Sequence, residues 1–109
     1  MRLLLDENLP KRLKEDFPNH DLSTVRDQGW NGLKNGVLLK ALTVAGFDAL
    51  LTFDKNLQYQ QNFKGYTVLV IVLQAWINTY SVLTKLSGQV NNLLSQDPLP
   101  TGVSVISEE

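Results

Sequence analysis

Apolar runs alternate along this chain with stretches in which apolar residues recur at helical spacing. The runs at residues 2–5, 47–53 and 66–73 predict buried strands, and weaker alternation predicts two more at 21–25 and 102–106. The last of these is expected at an edge of the sheet. Because buried strands that alternate with helices are typical of parallel sheets, we expect a mostly parallel sheet of about five strands.

The segments between the predicted strands carry the helical pattern. Helical stretches are predicted over residues 9–17 and 33–45, a short helical or irregular piece over about 55–63, and a last, long helix that begins at Asn78 or Thr79. Right-handed crossovers would place such helices on both faces of the sheet. The order of the elements therefore predicts a three-layer α/β/α fold.

Length and composition indicate one globular domain. The chain has 109 residues, of which 43% are hydrophobic and 19% are charged, so we expect a single domain over residues 1–109. The longest apolar run, at 68–73, is far shorter than the roughly 20 residues that a membrane-spanning helix needs. The first apolar run meets acid after three leucines, which is not typical of a signal peptide. These features favour a cytoplasmic protein with no membrane partner.

The residue types present restrict the possible chemistry. Cysteine is absent, which excludes thiolate nucleophiles, zinc ribbons and iron–sulfur clusters, and His20 is the single histidine. The formal net charge of −1 gives no overall attraction to nucleic acid, so such a role would need a local basic patch. Candidate chemistry therefore rests mainly with carboxylates, amides and hydroxyls.

Two predicted strands end in acidic residues. Asp6 and Glu7 follow the first strand, and Asp54 follows the third. If these strands are neighbours, Asp6 and Asp54 lie at one edge of the sheet, where their charges repel unless a cation or a proton intervenes. Mg²⁺ prefers one or two carboxylates plus water. The alternative is that each residue caps the helix that follows it.

Three segments resemble a known family. Residues 1–10 (MRLLLDENLP), 24–32 (TVRDQGWNG) and 50–57 (LLTFDKNL) resemble the small PIN-like domains of the DUF5615 family, which are similar to the PIN-domain toxins of bacterial toxin–antitoxin pairs. The resemblance covers about residues 1–75. It implies a PIN-like three-layer fold and descent from metal-dependent ribonucleases.

The resemblance also assigns residues to a site. Asp6 and Asp54 match acids of the family and are the candidate catalytic residues, and together with Glu7 they are candidate ligands of Mg²⁺ or Mn²⁺. The family has further acids where this chain has Asn35 and Asn56. An amide can orient water or ligate a hard cation, but it brings less electrostatic attraction than a carboxylate. The implied site is therefore partly degenerate.

Basic residues near these acids are candidates for substrate contact. Arg26 and Lys55 flank the acidic edge and could contact RNA phosphates, whereas Lys11, Arg12 and Lys14 are typical of a solvated helix face. One hypothesis is an endoribonuclease that uses Mg²⁺ or Mn²⁺, in one form the toxin of a toxin–antitoxin pair. The alternative is a catalytically inactive PIN-like module that binds RNA or a protein partner. An antitoxin-like partner and a homodimer both stay open.

The two tryptophans lie outside the predicted helices. Trp30 sits in a loop with two glycines, where it could stack on a base, contact a partner or cover the core. Trp76 follows the strand at 66–73 and is expected to pack against the core. Neither residue is assigned to the candidate site on these grounds.

Overall fold

The chain folds around a parallel sheet. The structure, a computed structural model, describes residues 1–55 and 67–108. Its strands are β1 (Arg2–Leu5), β2 (Asp21–Thr24), β3 (Ala49–Thr52), β4 (Leu69–Gln74) and β5 (Gly102–Ser107). Over these residues they form a five-stranded sheet in the order β2-β1-β3-β4-β5, and all four neighbouring pairs are parallel. The predicted three-layer α/β fold is confirmed, with β5 at an edge.

The helices are shorter and more divided than the sequence pattern predicts. They are a 3₁₀ helix (Lys11–Asp16), α1 (Asn35–Val44), α2 (Tyr80–Leu83), a second 3₁₀ helix (Thr84–Leu86) and α3 (Ser87–Leu94). The predicted long last helix is thus interrupted by a tighter turn. Most of the piece predicted near 55–63 lies outside the described residues. Across the two described ranges, no helix has the length and apolarity needed to span a membrane.

Alternate residues of each strand enter two separate core layers. In β1, Leu3 and Leu5 belong to the layer that contains α2 and α3, whereas Leu4 belongs to the layer that contains α1. The same alternation continues through β3 and β4, because successive side chains of a strand point to opposite faces. Both faces of the sheet are therefore covered, which explains the nearly continuous apolar runs in the sequence.

The strand order determines where a ligand site is expected. From β1 the chain crosses to β2 on one side, and from β3 it continues to β4 on the other side. In open α/β sheets, ligands bind outside the carboxyl ends of the strands at such a switch in strand order. Leu5 pairs with Leu51, and the backbone N–H of Asp6 donates to the Leu51 carbonyl at 2.9 Å. The residues that follow β1 and β3 therefore meet at the switch point.

A polar cluster joins the first 3₁₀ helix to the last helices. The Asp16 carboxylate accepts hydrogen bonds from the hydroxyls of Tyr80, Thr84 and Ser87, at 2.7, 2.7 and 2.6 Å. Residues three apart eclipse one another in a 3₁₀ turn, which brings Thr84 and Ser87 to the same oxygen of Asp16. This shared acceptor gives a physical reason for the interruption between α2 and α3.

The Asp16 cluster predicts a pH-dependent contribution to stability. Partial burial raises the pKa of Asp16, but the hydroxyls of Ser87, Thr84 and Tyr80 outweigh it and lower the pKa below the ordinary 3.8. The ionised Asp16 carboxylate therefore contributes fully to the free energy of unfolding above pH 3.8. This contribution is lost as the pH falls through the lower pKa of the folded state. We expect Asp16→Asn to lower the free energy of unfolding by about 2 kcal/mol at neutral pH.

Denaturant unfolding of wild type and Asp16→Asn at a series of pH values checks this expectation. The difference between the two proteins should shrink as the medium becomes more acidic than pH 3.8. Glu15→Gln, which alters an exposed neighbour on the same 3₁₀ helix, is the control and should change stability little. A difference between wild type and Asp16→Asn that is independent of pH would contradict the assigned role of the carboxylate.

Candidate active site

A buried threonine connects the two strand-end aspartates. Thr52, the last residue of β3, is fully buried and donates its hydroxyl hydrogen to Asp6 Oδ2 at 2.7 Å. The same hydroxyl oxygen accepts the backbone N–H of Asp54 at 3.1 Å. The structure therefore brings Asp6 and Asp54 to one edge of the sheet, where the sequence places them if β1 and β3 are neighbours.

Thr52 was not singled out in the sequence, although a signal for it exists. It is a lone hydroxyl within the apolar segment 49–53. A buried polar side chain nearly always has a hydrogen-bond partner. A threonine next to a strand-end acid is thus a candidate for orienting that acid.

The environment of Asp6 favours a nearby positive charge. Burial raises the pKa of Asp6, hydrogen bonds from Thr52 and from the Glu7 backbone N–H lower it, and the charges of Glu7 and Asp54 raise it again. The net effect is a pKa above the ordinary value. Because the ionised carboxylate is disfavoured by burial and by like charges, a cation at this position would be bound favourably.

Glu7 is engaged elsewhere. Its two carboxylate oxygens lie 3.4 and 3.3 Å from the backbone N–H nitrogen of Gly32, which donates to them. Gly32 has a φ of +86°, a backbone conformation that residues other than glycine rarely adopt. Glu7 therefore attaches the loop after β2 to the loop after β1. Within residues 1–55 and 67–108, no group of three or more Asp, Glu, His or Cys side chains is arranged to hold a metal ion.

Asn35 lies at the aspartate pair. It is the first residue of α1, and its Nδ2 donates to Asp54 Oδ2 at 3.2 Å. The amide thus presents a hydrogen-bond donor to Asp54 in the observed arrangement. Asn8 connects the loop after β1 to the segment after β3, because its Oδ1 accepts the backbone N–H of Phe53 at 3.3 Å. Asn56, the other amide assigned from the resemblance, lies outside the described residues.

Basic side chains lie on both sides of the pair. On the side of β2, a cleft of about 100 Å³ is lined by Asp6, Glu7, Lys11 and Arg26, among others. On the side of β4, Lys55 helps to line a second cleft, of about 90 Å³. Arg26 thus shares a cleft with Asp6, whereas the cleft at Lys55 lies beside β4, and the contact of both residues with substrate stays a prediction. Lys11 also lines the first cleft and is exposed, as its spacing on a solvated helix face predicts.

The tryptophans differ sharply in their surroundings. Trp30 is partly buried and packs edge-on against Phe47, with ring centroids 6.0 Å apart, so it covers the core. Trp76 is 80% exposed, and the expectation that it packs against the core is wrong. The reason is its position: β4 ends at Gln74 and α2 begins at Tyr80, so Trp76 lies in the turn beyond the core layers.

Comparison with known proteins gives no assignment. No protein-family model, curated protein or solved structure matches the chain. The resemblance of its motifs to PIN-like domains therefore stays an expectation. Function is inferred below from the side chains that the fold brings together.

Removal of the Thr52 hydroxyl should destabilise the site. Thr52→Val keeps the shape of the side chain but leaves the buried carboxylate of Asp6 without its hydroxyl donor. We expect a loss of about 2 kcal/mol in the free energy of unfolding, measured by denaturant titration. Thr52→Ser keeps the hydroxyl and loses one methyl group, for which about 1 kcal/mol is expected. A serine variant less stable than the valine variant would contradict the role of the hydroxyl.

Proposed function

We propose that this chain is a ribonuclease that depends on a divalent metal and whose site is the Asp6–Asp54 pair. One observation carries the proposal: Asp6 and Asp54 follow adjacent parallel strands at the switch in strand order, where the Thr52 hydroxyl donates to the Asp6 carboxylate and accepts the backbone N–H of Asp54. Rigid strands aim the two acids at an open edge, where a substrate can approach. The choice of RNA as substrate follows from the resemblance of the motifs around Asp6 and Asp54 to PIN-like domains.

The donor set fits a hard cation that carries much of its own water. Asp6 and Asp54 would hold Mg²⁺ or Mn²⁺, with Asn35 beside them. Such an ion supplies Lewis acidity, which activates water and offsets negative charge on the phosphate. Mg²⁺ sites with one or two carboxylates commonly depend on substrate phosphates as well. We therefore expect weak metal binding by the protein alone.

The protein's own side chains would perform the remaining tasks. Lys11 and Arg26 line a cleft on one side and Lys55 lines a cleft on the other, and all three would bind phosphates of a strand that passes over the edge. This local arrangement supplies the basic patch that the net charge of −1 does not provide. Thr52 fixes the orientation of the Asp6 carboxylate and contacts no substrate in this proposal.

A catalytically inactive binding module is the second candidate. Two observations favour it: the Asn35 amide donates to Asp54, and the described residues contain no group of three acids suited to a metal. In that case RNA or a protein partner would bind at the same edge without cleavage. The two candidates therefore share a surface and differ in the response to metal.

Cleavage of single-stranded RNA separates these candidates. We expect wild type to cleave a labelled RNA in Mn²⁺ or Mg²⁺ and to lose this activity in EDTA. RNA binding without cleavage in either metal would favour the inactive module and contradict the nuclease.

The toxin assignment is a narrower form of the proposal. Expression of wild type in a bacterial host should slow growth, because cleavage of cellular RNA stops translation, whereas expression of Asp6→Asn should not. A small antitoxin-like protein would be the expected partner. Equal growth with both proteins would contradict the toxin assignment, and the cleavage assay would still test the nuclease itself.

A further inference from the structure

We infer that Trp76 is a stacking platform for one base of the RNA strand that binds at Asp6 and Asp54. The inference rests on the proposed function and names how the substrate is held there. It starts from exposure, since the Trp76 side chain is 80% exposed although tryptophan carries a large apolar area. An aromatic ring presented to solvent in this way is the feature on which bases of single strands stack.

The position of Trp76 places it beside the candidate site. β4 is the neighbour of β3, and adjacent strands lie roughly 4.8 Å apart. Thr52 at the end of β3 pairs with Val72, so β4 continues to Gln74, level with Asp54, and Trp76 follows two residues later. Lys55, which follows Asp54, and Ala75, which precedes Trp76, line the same cleft. A phosphate bound near Lys55 would leave a neighbouring base within reach of the indole ring.

The turn that carries Trp76 is attached to the site. Asn78 Nδ2 donates to the backbone carbonyl of Asn8, in the loop that follows Asp6. The backbone N–H of Trp76 donates to Glu108 Oε1 at 3.4 Å. These bonds hold the turn in place before any ligand binds, which reduces the entropy lost on binding.

The surroundings of Trp76 favour RNA over a protein partner. Protein interfaces use contiguous apolar patches of several hundred Å². Trp76 and its neighbour Ile77 lie between Gln74 and Asn78, which are polar and exposed. Two charged side chains lie near Trp76: Glu108, whose carboxylate accepts the backbone N–H of Trp76, and Lys55, whose positive charge in the adjoining cleft suits a polyanion.

The test measures RNA binding apart from cleavage. A short single-stranded RNA is titrated in Ca²⁺ into wild type, Trp76→Ala and Trp76→Phe, with Asp21→Asn as a control at the opposite edge of the sheet. Because loss of one stacked base weakens binding, we expect the affinity of Trp76→Ala for RNA to be about tenfold lower than that of wild type. Trp76→Phe should keep most of the affinity for RNA. In Trp30→Phe, where Trp76 is the remaining tryptophan, RNA should quench the fluorescence.

The outcomes separate this inference from the proposed function. Cleavage that depends on metal, combined with equal RNA affinity of wild type and Trp76→Ala, would overturn the stacking role and leave the nuclease intact. RNA affinity that depends on Trp76, without cleavage in any metal, would support the stacking role and contradict the nuclease. A loss of self-association in Trp76→Ala with unchanged RNA affinity would overturn the inference in favour of a protein contact.

Discussion

Asp6→Asn and Asp54→Asn should each reduce RNA cleavage in Mn²⁺ by on the order of 100-fold or more. Residues that merely orient metal ligands already change metal affinity or activity by about 10- to 100-fold, so a ligand itself is expected to matter at least as much. Each variant removes the carboxylate of one of the two aspartates whose backbone or side chain is hydrogen-bonded to the hydroxyl of Thr52. The measurement is the initial rate of cleavage of a labelled RNA at fixed Mn²⁺.

Asp21→Asn is the matched control for these variants. It makes the same change of charge at an exposed residue, at the amino end of β2 and so at the opposite edge of the sheet. The control should cleave at the rate of wild type. Rates for Asp6→Asn and Asp54→Asn that equal the rate of Asp21→Asn would show that the carboxylate pair is not the site. Circular dichroism of all variants establishes that they are folded before rates are compared.

Asn35→Asp should increase metal affinity by about tenfold or more. In the observed structure the Asn35 amide donates to Asp54, and an aspartate there would add a third carboxylate beside the pair. Affinity for hard cations rises with the number of charged ligands. Without metal, the added charge should lower stability by roughly 1 kcal/mol, because like charges close together repel one another. Thermal unfolding with and without Mn²⁺ measures both effects.

The contrast between the two conditions identifies the site. In Asn35→Asp the melting temperature should be below that of wild type in EDTA, and its increase on addition of Mn²⁺ should be larger than that of wild type. Asn91→Asp, an equal change of charge at an exposed residue of α3, should show neither effect. An unchanged response of Asn35→Asp to Mn²⁺ would mean that position 35 does not face the metal. It would also weaken the comparison with acids of PIN-like domains.

The short, nearly continuous runs of apolar residues were sufficient to predict the strands of the sheet. Both faces of β1, β3 and β4 are covered, so their sequences are nearly all apolar, and this pattern identifies buried parallel strands without any structural information. The last helix was harder to predict, because its division depends on Asp16. That residue is far from Thr84 and Ser87 in sequence, and sequence periodicity carries no information about such a contact.

The candidate site was predictable only in part, because some of its contacts come from residues that are distant in sequence. Strand-end acids are visible in the sequence, and Asp6 and Asp54 lie together because β1 and β3 are neighbours. The direction of the Glu7 side chain depends on the loop at Gly32, which returns from a distant part of the chain. The exposure of Trp76 likewise depends on where β4 ends relative to the core. The sequence positions of Glu7 and Trp76 therefore did not indicate where their side chains lie relative to Asp6 and Asp54.

Binding of Mn²⁺ to the protein is the most direct test of the central claim. Electron paramagnetic resonance, which reports free Mn²⁺, can be recorded for wild type and for the double variant Asp6→Asn/Asp54→Asn, each with and without single-stranded RNA. We predict that wild type binds Mn²⁺ weakly alone and more tightly with RNA, and that the double variant binds none at this site. Equal binding by the two proteins, or no binding by wild type even with RNA present, would contradict the assignment of Asp6 and Asp54 as a metal site.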